Sequence, residues 1–141
     1  MPVYVRAGAV IPMQALVQHT GQAPQGPLEV HAWLPLDATQ PCGGALYEDD
    51  GRLAPKVRRT RFECEAANDA FVLAATTLDA GFDPWWTDVQ ATVHGVLRAP
   101  TAVRIRDANS SDWTYDATTR TVTVRVPDAR SAWSVALSGV R

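Results

Sequence analysis

The sequence predicts an all-β fold, an antiparallel two-sheet β-sandwich of about ten short strands. Three observations carry this. Apolar residues recur every second position in one short segment after another, the period of a strand with one buried face. Turn-forming residues separate those segments at short intervals. No segment longer than a turn repeats apolar residues at the i, i+3, i+4 spacing of a helix. Many short strands without helices are buried most simply by stacking two sheets.

The elements follow in order. Val3, Val5 and Ala7 alternate with Tyr4 and Arg6 and read as a strand. Gly8 interrupts it, Ala9-Val10-Ile11 resumes it, and Pro12, lacking a backbone donor, ends the pairing or places it at a sheet edge. A strand at Val3–Ala7 has no partner before it, so it is expected to fold back on the sandwich, to pair with a neighbouring chain, or to be mobile. Residues 14–27 read as a surface loop. Leu28, Val30, Ala32 and Leu34 mark a half-buried strand between Pro27 and Pro35, and Pro35 to Gly44 is a loop.

Ala45 to Glu48 reads as a short strand running into the acidic corner Glu48-Asp49-Asp50-Gly51. Asp-Gly is a strong turn signal, since Gly takes positive φ at no steric cost and Asp bonds nearby backbone N–H groups. Val57 to Glu65 and Phe71 to Thr77 form a hairpin about Asn68-Asp69, with a turn of about four residues. Residues 79–87, with Gly81, Pro84 and the pair Trp85-Trp86, read as a loop. Val89 to Gly95, Val103 to Ile105, Trp113 to Tyr115, Val122 to Val126 and Trp133 to Leu137 are further strands, with turns at Asp107–Ser110 and Asp116–Arg120 and a stop at Pro127.

At 141 residues the chain suits one domain, or one domain with a remnant of another, and is long enough for its own core. A formal net charge of −2 gives no electrostatic case for nucleic acid or an anionic membrane as partner. No apolar run approaches the ~20 residues that span a bilayer, and the opening residues lack the basic and apolar regions of a signal peptide. Two cysteines are too few for a disulfide framework. Cys42 and Cys64 are expected as free thiols, Cys64 in the core; a bridge would need Cα atoms within about 7 Å.

Glu48, Asp49 and Asp50 are the carboxylate cluster. A glycosidase pair faces across a cleft about 5–9.5 Å wide, one member being buried. Adjacent turn residues diverge and stay hydrated, so the cluster is expected as a structural turn or, secondarily, a cation site. No metal-binding set and no cofactor is expected. The three histidines, His19, His31 and His94, are far apart in sequence, and His31 and His94 fall on the polar phase of their strands, as surface residues do. The run Arg58, Arg59, Arg61 reads as a solvated strand face. Trp33, Trp85 and Trp86 are the better binding candidates, because indole offers a flat apolar face with a polar tip for a sugar or a neighbouring domain. Only one of the adjacent Trp85 and Trp86 can point fully inward.

Several runs carry a resemblance. Pro2-Val3-Tyr4-Val5-Arg6-Ala7-Gly8-Ala9-Val10-Ile11-Pro12-Met13-Gln14, then Leu46-Tyr47-Glu48-Asp49-Asp50-Gly51, then Val93-His94-Gly95-Val96 with Ala99-Pro100 and Val103, resemble in order and spacing the C-terminal end of family 31 glycoside hydrolases, the α-glucosidase family. The resemblance implies that both catalytic aspartates lie in an upstream (β/α)8 barrel. Neither of the segments that carry them occurs here, so no catalytic residue carries over and the chain alone is expected to be inactive. It implies that residues 1–26 are the end of a proximal β-sandwich or a junction, that 27–141 are the distal C-terminal β-sandwich, and that the barrel and proximal sandwich are the partners. The alternative is a stand-alone carbohydrate-binding module that holds oligosaccharide on Trp33, Trp85 or Trp86.

Overall fold

The computed structural model describes residues 2–141, so residue 1 of the expected junction segment lies outside the described residues. Its strands are β1 (Val10–Met13), β2 (Leu28–Trp33), β3 (Gly43–Asp49), β4 (Val57–Ala67), β5 (Ala70–Ala80), β6 (Val89–His94), β7 (Ala102–Ile105), β8 (Ala108–Asn109), β9 (Trp113–Asp116), β10 (Thr121–Val126) and β11 (Trp133–Ser138). They form a five-stranded sheet, β1-β2-β6-β10-β9, and a six-stranded sheet, β3-β4-β5-β11-β7-β8. The expected all-β sandwich is present, with one difference: β2 and β6 pair in parallel, which makes the smaller sheet mixed.

The core follows the alternation in the sequence. Val30, Ala32, Val89, Ala91, Val93, Val122, Val124 and Val126 point inward from the smaller sheet, and Phe62, Phe71, Leu73, Trp133, Val135 and Leu137 from the larger. Each fully buried Val, Leu or Phe among them contributes roughly 1.5–3 kcal/mol. Trp86, Val96 and Ala129 from connections, and Val140 from the segment after β11, close the ends of the core.

Strand pairing begins later than the alternation predicts. Residues 2–6 are exposed and in neither sheet; the chain turns at Ala7-Gly8, and Gly8 takes φ 80°. Val10–Met13 then pairs antiparallel with β2 at the sheet edge, where Pro12 is tolerated. At this corner β1 also meets the other sheet. Ala9 bridges Gly43, and a Cβ on Gly44 would lie 2.0 Å from the Val10 carbonyl oxygen, so only glycine admits so close an approach.

Three other expectations need correction. The β4–β5 hairpin turns on two residues, Asn68 and Asp69, rather than about four; Asn68 has φ 55°, and Ala67 pairs directly with Ala70. The turn expected at Asp107–Ser110 sits earlier, on Arg106 and Asp107, both at positive φ, and Ala108–Asn109 already pairs back on β7. The cysteines are not free thiols: Cys42 and Cys64 form a disulfide with Cα atoms 5.0 Å apart. The β3–β4 register, with Gly43 opposite Glu63, brings them together, and Cys64 N–H donates to the Cys42 carbonyl.

The bridge closes a sequence separation of 22 residues, for which loop-closure entropy gives a stabilisation of about 3 kcal/mol. Cys42→Ser, or reduction of the wild-type protein, is expected to lower the unfolding free energy by that order in urea titrations followed by far-UV circular dichroism.

Candidate functional site

The three tryptophans named from sequence occupy three different environments. Trp86 is 2% exposed, the largest fully buried side chain, and presents no face to a ligand. Its indole N–H donates to Glu48 Oε1 at 3.1 Å. The Arg58 guanidinium carbon lies 5.4 Å from its ring centroid. Arg58 is itself 3% exposed, so the expected solvated arginine face is wrong at this position; its Nη2 donates to the Arg130 carbonyl and to Thr77 Oγ1. The reason is strand phase. Arg58 shares the inward face of β4 with Thr60 and Phe62, and its register partner on β3 is Glu48.

Glu48 is therefore not a hydrated turn residue. It points inward from β3, and burial pushes its carboxyl above the ordinary range, partly offset by the Trp86 N–H and the Arg58 charge. Its Oε2 is buried with no hydrogen-bond partner. The other corner residues fix the turn. Asp49 Oδ1 accepts from Gly51 N–H at 2.9 Å, Asp50 Oδ1 accepts from Lys56 N–H at 3.1 Å, and Gly51 takes φ 68°. Among the described residues no group of three or more His, Cys, Asp or Glu side chains is placed to hold a metal ion.

Trp85 is half-buried and lines two clefts. The larger, about 630 Å³, is lined by Pro27, Trp85, Thr87, Asp88, Gln90 and Arg125, among others. The smaller, about 200 Å³, is lined by Met13, Leu46, Tyr47, Glu48 and again Trp85, among others. Each presents one carboxylate, Asp88 or Glu48, so neither has the facing pair of a glycosidase. In the larger cleft Asp88 Oδ2 accepts from Arg125 Nη2 at 2.7 Å and Nε at 3.2 Å. The Arg125 fork, first of all, holds the Asp88 carboxyl below the usual range, and Asp88 in turn raises the guanidinium.

Trp33 lies at the other end of the outer face of the five-stranded sheet. Gln90 to His94 on β6 measures this separation, four residues or about 13 Å. Its neighbours are a pair that sequence distance hid. His31 Nδ1 and His94 Nε2 are 2.8 Å apart, and the other His31 nitrogen is 3.4 Å from Glu29 Oε2. The imidazole centroids are 5.1 Å apart with planes 22° from parallel, so the rings meet edge to edge, one N–H facing one lone pair. Trp33 stacks on His94 at 4.4 Å and 7°. The only sequence signal was that both histidines occupy polar phases; the parallel register with Trp33 opposite His94 makes them neighbours.

The facing nitrogens hold one proton between them, and protonating both rings breaks the bond. Burial, first, and the neighbouring His31, second, hold His94 below the ordinary imidazole range. The unfolded chain therefore takes up a further proton, on His94, before the folded one as pH falls. The stability contributed by the pair is complete above the ordinary imidazole value of 6.5 and is lost below it. Unfolding free energy measured by urea titration at a series of pH values is expected to decline through this window, and His94→Gln to flatten the decline.

Glu48 gives a second test. Glu48→Ala leaves the Trp86 N–H buried without an acceptor and is expected to cost about 1–3 kcal/mol. Glu48→Gln keeps an acceptor and is expected to cost less; equal losses in the two variants would show that the hydrogen bond does not matter.

No family model matches the chain, and no curated protein sequence matches it. Solved structures do. A family 31 glycoside hydrolase dextranase from Flavobacterium johnsoniae, complexed with isomaltotriose, superposes with a TM-score of 0.81 at 16% identity, covering 95% of this chain and 19% of the dextranase. An α-1,4-glucan lyase from Gracilariopsis lemaneiformis gives 0.64 at 15% identity, covering 95% of this chain and 16% of the lyase. A cycloalternan-forming enzyme from Listeria monocytogenes gives 0.61 at 16% identity, covering 96% of this chain and 13% of the enzyme. The chain thus spans 13–19% of the length of these proteins and shares the fold of that part of them.

Proposed function

We propose that the chain is the C-terminal accessory β-sandwich of a family 31 glycoside hydrolase, with the catalytic barrel outside these residues, and that alone it cleaves no glycosidic bond. The carrying observation is the fold match, which takes in 95% of this chain and only 19% of a family 31 dextranase. The runs at Pro2–Gln14 and Leu46–Gly51 support the same parentage. The acidic corner supports the absence of catalysis: Glu48 accepts from an indole, and Asp49 and Asp50 accept from backbone N–H groups of the turn.

The partners are the barrel and proximal sandwich of the parent enzyme. Val3, Tyr4 and Leu16 are 80%, 90% and 93% exposed, apolar groups of the kind a neighbouring domain covers. On this reading residues 1–26 join the two sandwiches, with β1 as the strand that enters the distal one. The neighbours are a dextranase, a glucan lyase and a cycloalternan-forming enzyme, so the parent's substrate is an α-glucan, a broader class than α-glucosidase alone.

The purified chain is expected to show no turnover of p-nitrophenyl α-glucoside, and the reading frame around it to encode a barrel with paired aspartates. Reproducible hydrolysis by the purified chain, or a frame without such a barrel, defeats the proposal.

A further inference from the structure

We infer that the larger cleft beside Trp85 is a binding site for one neutral sugar ring, with the indole as the surface it stacks on. The chemistry of the walls selects the ligand. Trp85 supplies a flat apolar face, while Gln90, Thr87, Asp88 and Arg125 supply donors and acceptors around it. A pyranose has the matching design, with C–H groups on its faces and hydroxyls on its edge. The charges at the site cancel, since Asp88 and Arg125 are paired at 2.7 Å. An anion would meet the Asp88 carboxylate and a cation the Arg125 guanidinium. A neutral polyol meets neither penalty and can bond to both. Arg125 uses Nε and Nη2 on Asp88, and its side chain is 63% exposed, so its remaining N–H groups are available to hydroxyl oxygens.

The site is also held in shape before a ligand arrives. Arg130 donates to the carbonyls of Pro84 and Trp86, both at 2.9 Å, on either side of Trp85. The Thr87 carbonyl accepts from Ala129 N–H at 2.7 Å, and the Asp88 carbonyl from Leu28 N–H at 3.0 Å. Trp86 anchors the same loop in the core. An aromatic platform fixed in this way loses little conformational entropy on binding.

The choice of glucose oligomers as probes rests on the proposed function, but the site does not. The intact chain is titrated with isomaltotriose and maltotriose, with glucuronate and glucosamine as charged controls, and the five tryptophan indole N–H signals are followed by two-dimensional NMR. Saturable shifts at Trp85, with Kd in the roughly millimolar range, are expected from the neutral sugars, without shifts at Trp33. Trp85→Ala is expected to weaken binding at least roughly tenfold and Trp85→Tyr to retain most of it. Arg125→Met, at an exposed position, is expected to weaken binding without unfolding the chain. Silence at Trp85, undiminished binding in Trp85→Ala and Arg125→Met, or tighter binding of either charged control overturns the inference. Such a failure leaves the accessory-domain reading intact, since that reading is judged by turnover and by the surrounding frame.

Discussion

The hydrogen bond from the Trp86 indole to Glu48 is the constraint on which one end of the molecule depends. A core between two sheets needs its ends closed, and here the largest plug brings an N–H that must find an acceptor. The inward position of β3 nearest to it supplies a carboxylate. The cost falls on Glu48, which is desolvated with one oxygen unpartnered. Once Trp86 is seated, its neighbour Trp85 is forced to the rim, and the loop carbonyls come within reach of Arg130 and Ala129. The acidic corner, the tryptophan loop and both clefts are thus one packed unit.

Much of the fold was legible because alternation has a direct physical meaning: β2, β4, β5, β6, β10 and β11 each bury the phase that the sequence marks as apolar. What alternation lacks is pairing. A period of two is the same for parallel and antiparallel neighbours, so the β2–β6 pair and the His31–His94 contact it creates were invisible. The cysteine pairing depended on register in the same way. Arg58 was misread for a different reason. Its phase placed it inside, but its charge argued for the surface, and the Arg130 carbonyl and Trp86 ring that settle the matter come from distant loops. At Val3–Ala7 the alternation is present, but among the described residues no strand pairs with it.

The candidate site was legible in its residue types and not in its arrangement. Three tryptophans and an acidic run were visible; that the tryptophans become a plug, a cleft wall and an imidazole stack was not. Asp88, Gln90 and Arg125 carried no motif, because a cleft wall assembled from a loop and two strands leaves no spacing in the sequence. The outer face of the smaller sheet therefore carries an ion-paired cleft at one end and a proton-sharing imidazole pair at the other.

The Cys42–Cys64 bridge ties this architecture to its surroundings. Thiol pairs of this kind persist in secreted and periplasmic settings and are kept open by the glutathione and thioredoxin systems of the cytosol. The bridge fastens Cys42, the residue that leads into β3 and its Glu48, to β4, which presents Arg58. Opening or closing of the bridge therefore acts on the same strand pair that seats the tryptophan plug, so the oxidation state of two thiols and the seating of a distant loop are mechanically linked.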